Sequence, residues 1–152
     1  MKDLVLDAVA RLRAGGVPGE VLGLRRTPRR VLGVGRGDRI IEVGQAWRLG
    51  ALLLLTDGGL ALPGEVVRTE RETTRGYTAD SARHRADLRT QARRGGVPDG
   101  RVVHLDWRPA VVGAPPLTER DGEVWFTWST GAQPVRLADY VSERVELALL
   151  RL

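Results

Sequence analysis

The chain has no cysteine and a single lysine, Lys2, among its 152 residues. Without cysteine there is no disulfide, no thiolate nucleophile, no iron–sulfur cluster and no thiolate zinc site. Lysine confined to a terminal position, where chains are poorly tied down, closes further classes of chemistry. A phosphate-binding loop needs Gly-Lys-Ser/Thr, pyridoxal phosphate needs a buried lysine for its Schiff base, and serine/lysine hydrolases need Ser-x-x-Lys. Nuclease motifs that place a lysine beside the metal are excluded in the same way. Histidine is almost as scarce: His84 and His104 are the whole supply, so a three-histidine zinc site is impossible, although two histidines with carboxylates remain allowed. No motif calls for a cofactor or a metal, and none is expected.

Long hydrophobic runs are missing too. The most apolar stretch, from Gln45 to Pro63, is interrupted by Arg48 and Asp57, which bracket only eight positions, whereas a spanning helix needs about 20. Asp3 and Asp7 fall where a secretory signal would carry its apolar core. The expected location is cytoplasmic, with no membrane partner. Within the run, Asp57-Gly58-Gly59 punctuates the leucines and Leu60-Ala61-Leu62 resumes them, the pattern of a hairpin. The expectation is one long strand over residues 46–56 and an antiparallel return over 59–68. Leucine at four successive positions, 52–55, predicts that both faces of the first strand are covered.

Elsewhere, Leu4, Val5, Ala8, Val9 and Leu12 stand at helical spacing over residues 3–13, before Gly15-Gly16 and Pro18. Residues 15–37 read as a Gly/Pro/Arg-rich connecting arm contributing at most an edge strand, and Ile40, Ile41 and Val43 begin a meander that runs into the hairpin. Thr78 is placed to cap a peripheral, arginine-rich helix over about 79–94. Residues 101–107 alternate as a half-buried strand, residues 110–122 read as a loop, and Glu123 to Trp128 as a last strand. The C-terminal segment carries a wide apolar stripe, Leu137, Tyr140, Val141, Val145, Ala148 and Leu152, broad enough to cover a sheet or a second copy of the chain. Together these predict a single α+β domain over 1–152: an antiparallel β-sheet meander with N-terminal, middle and C-terminal helices.

Candidate chemistry is thin. His104 and Asp106 stand two apart, which places them on one face of a strand. There they form either an imidazole oriented by a carboxylate, fit for acid/base work in a hydrolase, or simply the solvated face of the strand, the favoured reading since no nucleophile can be set beside them. Gly33-Val34-Gly35-Arg36-Gly37 departs from the dinucleotide fingerprint because its third glycine comes one place early. Arg36-Gly37-Asp38 carries no weight without secretion.

Net charge is +5, and every basic residue but Lys2 is arginine. Arginine grips phosphates and stacks on bases, so two clusters are candidates for nucleic acid or another polyanion: Arg25, Arg26, Arg29 and Arg30 in the arm, and Arg85, Arg89 and Arg93 along the middle helix. Against this, arginine in place of lysine with abundant Ala, Gly and Val is the mark of a GC-rich genome, and the 19 acidic residues are interleaved with the bases. Trp125, Phe126 and Trp128 offer either a stacking platform for bases or, the favoured reading, part of the core with Trp47 and Trp107.

Ala46-Trp47-Arg48-Leu49-Gly50, Leu52-Leu53-Leu54, Asp57-Gly58 and Leu60, followed by Gly64-Glu65-Val66-Val67-Arg68, resemble the central motif of small actinobacterial proteins of uncharacterised function, some of them labelled glutaminase. The resemblance covers residues 46–68. Serine-type glutaminases use Ser-x-x-Lys, triad amidotransferases a cysteine and threonine-type amidohydrolases a lysine. None of those sets can be assembled in this chain, so the label is not supported and no catalytic residue is carried over. The sequence therefore reads first as a non-catalytic interaction or structural module, homodimeric through its C-terminal helix. Polyanion binding through the arginines and hydrolysis through His104 and Asp106 are the alternatives.

Overall fold

The computed structural model describes residues 1–28, 37–70 and 79–151. They form an α+β fold with mostly antiparallel sheets. The chain opens with α1 (Lys2–Ala14), β1 (Glu20–Arg26), β2 (Arg39–Leu49), β3 (Leu52–Leu55), β4 (Leu60–Leu62) and β5 (Glu65–Arg68). After α2 (Ala79–Arg94) come β6 (Val102–Leu105), β7 (Arg108–Pro109), β8 (Leu117–Arg120), β9 (Glu123–Phe126), β10 (Val135–Arg136) and α3 (Leu137–Leu149). These elements fall into two compact units. Unit 1 is Met1–Gly19, Ala46–Pro63 and Arg108–Leu152, and unit 2 is Glu20–Gln45 and Gly64–Trp107.

In unit 1 the end of β2 pairs with β3, β3 with β4 and β4 with β7, all antiparallel, while β10, β9 and β8 make a separate small sheet. The apolar stripe of α1, Val5, Ala8, Val9 and Leu12, is buried with Leu52, Leu54, Leu117 and Phe126 and with Leu137, Tyr140, Val141 and Val145 of α3. Each large apolar side chain so covered is worth about 1.5–3 kcal/mol. The stripe of α3 from Leu137 to Ala148 is thus filled by α1 and by β9 and β10 within the unit, and that part of it gives no ground for a second copy of the chain; Leu152 lies outside the described residues. Leu52, Leu53 and Leu54 are fully buried, so both faces of β3 are covered.

The long strand expected over 46–56 is two strands. Gly50, with φ +63, turns the chain back after Leu49, so β3 is the return of β2 and not its continuation. Tyr140 holds that turn: its hydroxyl accepts from Ala51 N (2.9 Å) and donates to Leu49 O (3.0 Å). A Cβ at Gly50 would lie 2.4 Å from the same hydroxyl oxygen. The Asp57-Gly58-Gly59 turn forms as read, with Asp57 Oδ1 accepting from Gly59 N (3.2 Å). The two backbone groups bonded to Tyr140 predict that Tyr140→Phe costs about 1–2 kcal/mol in urea unfolding; a change under about 0.3 kcal/mol would mean that water replaces the hydroxyl.

Unit 2 holds β5, β6, β1 and the first part of β2, with α2 packed against β5. Its core is Val21, Ile40, Val67, Leu88, Ala92, Val97, Val103 and Leu105. The expected connecting arm is in part a central strand: β1 lies between β6 and β2 and pairs with β6 in parallel, Val21 opposite Val103 and Leu22 opposite His104. β5 pairs antiparallel with β6 and does not continue the hairpin of unit 1. α2 docks through Leu88 and Ala92 alone and leaves most of its charged residues exposed, as expected of a peripheral helix. The Thr78 cap, Arg29, Arg30 and most of the Gly33–Gly37 stretch lie outside the described residues.

Candidate functional site

The register of unit 2 decides where the sequence candidates go. On β6, Val103 and Leu105 join the core, so His104 faces the other way, level with Leu22 of β1. Glu20, two residues before Leu22, shares that face. Its carboxylate Oε2 takes a hydrogen bond from His104 Nε2, and the imidazole is fully buried with no partner for Nδ1 among the described residues. The solvated strand face read from the sequence is therefore sealed at His104.

Asp106 is elsewhere. β6 ends at Leu105, Asp106 takes φ +54, and its carboxylate receives Arg25 (3.1 Å). The pair proposed for acid/base work is not brought together, because the turn at Asp106 breaks the alternation that the spacing assumed.

A different imidazole meets a carboxylate. Glu65 opens β5 opposite Leu105, and its Oε1 lies 2.7 Å from His84 Nε2 on α2 while its Oε2 accepts from Arg25 (2.7 Å). Arg25 thus bridges Glu65 and Asp106. An imidazole oriented by a carboxylate can act as a base, but all four side chains are at least a third exposed, and such surface pairs are each worth about 0–1 kcal/mol. No group of three His, Asp or Glu among the described residues is arranged to hold a metal ion. Nothing in the sequence announced this array, since it depends on β5 pairing with β6 and on α2 lying across β5.

The arginine clusters are partly spent. Arg25 carries two carboxylates, Arg93 Nε donates to Asp99 (2.9 Å), and Arg85 has an interaction of its own. Arg26 is exposed and Arg89 half-buried. In unit 1 the three aromatics read together have three fates. Phe126 is core, against Tyr140 at 4.7 Å between ring centres; Trp125 is half-buried with the guanidinium groups of Arg120 and Arg136 each 6.0 Å from its ring; Trp128 is 44% exposed.

Trp128 stands in an open concavity of unit 1, a groove of about 440 Å³. Thr127 N donates to Pro116 O (3.1 Å), carrying the line of β9 past Phe126 and setting Trp128 beside the cis Pro115–Pro116 bond. Leu62 and Pro63 at the end of β4 form another wall, with Arg108 of β7 opposite Leu62 in the ladder. Arg108 is exposed and makes no salt bridge among the described residues. Pro115 and Pro116 of the lining end the run Pro109–Pro116, eight residues without a polar side chain, of which Pro109, Val111, Ala114 and Pro115 are exposed. Contiguous exposed apolar surface of this kind marks a place of contact. The available signal was the apolar loop with its two prolines next to a tryptophan that ends, rather than enters, a strand.

Set against family models, curated proteins and solved structures, the chain finds no match in any of the three.

Proposed function

We propose that this chain is a non-catalytic binding module and that the groove of unit 1 is its working surface. The observation that carries the reading is the pairing of an exposed Trp128 with an Arg108 that has no carboxylate partner among the described residues, at an apolar concavity. Tryptophan and arginine dominate the residues on which binding energy concentrates. The chemically richer array of unit 2 closes on itself: Glu65 answers both His84 and Arg25, and Glu20 answers a buried His104.

A random peptide library panned against the purified chain tests this. Enriched peptides are expected to lose at least about tenfold in affinity on Trp128→Ala, or about 1.4 kcal/mol, with the urea midpoint unchanged. Ligands indifferent to Trp128 would move the working surface elsewhere. Release of ammonia from glutamine that depends on His84, read with a His84→Ala variant, would overturn the non-catalytic reading.

A further inference from the structure

The chemistry of the groove also selects its ligand, an inference that rests on the groove being the working surface. Among the described side chains that line it, Arg108 is the only charged one, and no acid is among them to answer it. Elsewhere in unit 1, Arg11 meets Glu146 and Arg136 meets Glu123. An arginine without a partner beside an apolar wall is complementary to a carboxylate, which its planar fork takes by two parallel hydrogen bonds.

The walls narrow the choice further. Trp128 presents a flat ring beside Pro63, Pro115 and Pro116, and aromatic-lined grooves dock proline-rich segments because these are already extended and lose little entropy on binding. Addition of a strand is disfavoured, since β7, the last strand of its sheet, has two residues and one is Pro109, which has no N–H to donate. Val111 and Ala114, in the run that leads to Pro115 and Pro116 of the groove, are exposed apolar residues as well, which suits a segment of chain better than a compact small molecule.

We infer that the groove binds an extended, proline-containing segment of a partner protein that lays a proline on Trp128 and a carboxylate on Arg108. The carboxylate is that of an Asp or Glu side chain.

The test uses fluorescein-labelled ten-residue peptides, proline-rich and carrying Glu, Gln or Lys at one position, each with a free and an amidated C-terminus. Anisotropy is read with the full chain. Expected is binding of the Glu peptide at least tenfold tighter than Gln, and weaker still for Lys. Arg108→Ala should erase the preference for Glu, and Trp128→Ala should remove binding of all of them. If only peptides with a free C-terminus bind, and again only with Arg108 present, the carboxylate is the chain end and the side-chain carboxylate inferred here is wrong.

Equal binding of Glu and Gln peptides, or a Glu preference that survives Arg108→Ala, overturns it. If library ligands of another chemistry depend on Trp128, the groove stays the working surface and the occupant inferred here is wrong. If neither panel nor library yields a Trp128-dependent ligand, both readings fall. Self-association in sedimentation that is lost on Trp128→Ala would make the occupant a second copy of the chain and sink the partner segment.

Discussion

Gly95→Ala is expected to cost about 3 kcal/mol or more in urea unfolding, the largest effect foreseen for a single added methyl group in this chain. Gly95 follows the last turn of α2, its N–H donating to Gln91 O (3.0 Å), while Val97 N closes onto Ala92 O (3.0 Å). This end of the helix lies against the backbone of β2. A Cβ at Gly95 would sit 1.6 Å from the carbonyl oxygen of Ile40 and 2.4 Å from its carbon. A flexible side chain could rotate out of the way, but a carbonyl in a strand cannot. Relief requires α2 to lift from Ile40, which opens the packing of Leu88, Ala92 and Val97. A loss below about 1 kcal/mol would show that the helix end moves freely against Ile40.

Glu20→Ala comes next, with an expected cost of about 2–3 kcal/mol. Glu20 accepts the hydrogen bond of a fully buried His104, whose Nδ1 has no partner among the described residues. Removing the carboxylate leaves both ring nitrogens without one. Because Glu20 is itself 30% exposed, water relieves part of the loss, which keeps the figure below that of a deeply buried pair. The penalty belongs to a stranded polar group, so it should shrink when that group is removed as well. The double variant Glu20→Ala, His104→Leu should recover at least half of the cost, since replacing both partners by apolar groups can be nearly neutral. Urea titration of the single and double variants closes the cycle. A double variant less stable than Glu20→Ala would assign His104 a packing role independent of its partner.

The three helices were legible because their burial is local: Val5, Ala8, Val9 and Leu12 repeat on one face, α1 and α2 begin and end within a residue of the expected bounds, and α3 begins at Leu137, where its stripe does. The cover on both faces of β3 was legible from four leucines in a row. What stayed hidden depends on residues far apart in the chain. Gly50 turns the hairpin because Tyr140, ninety positions on, holds the hydroxyl against it. β1 is central because residues 102–105 pair with it, and the same pairing buries His104 against Glu20. Asp106 left the face of His104 through one positive φ, which no alternation of side chains records. Of the candidate groove, Trp128 and the apolar loop were visible, but their meeting is made by one backbone bond from Thr127 to Pro116.

The two units are interleaved along the chain, which passes from one to the other four times. During synthesis, with the chain emerging from its N-terminus, all segments of unit 2 are out by Trp107, while unit 1 still lacks Leu117, Phe126, Leu137, Val141 and Val145. For that interval α1 and the leucines of β3 have no lid, and an uncovered leucine strand is what aggregates or recruits a chaperone. Ribosome-bound chains stalled near residue 110 should therefore be captured by an apolar-binding chaperone, and chains released with α3 complete should not.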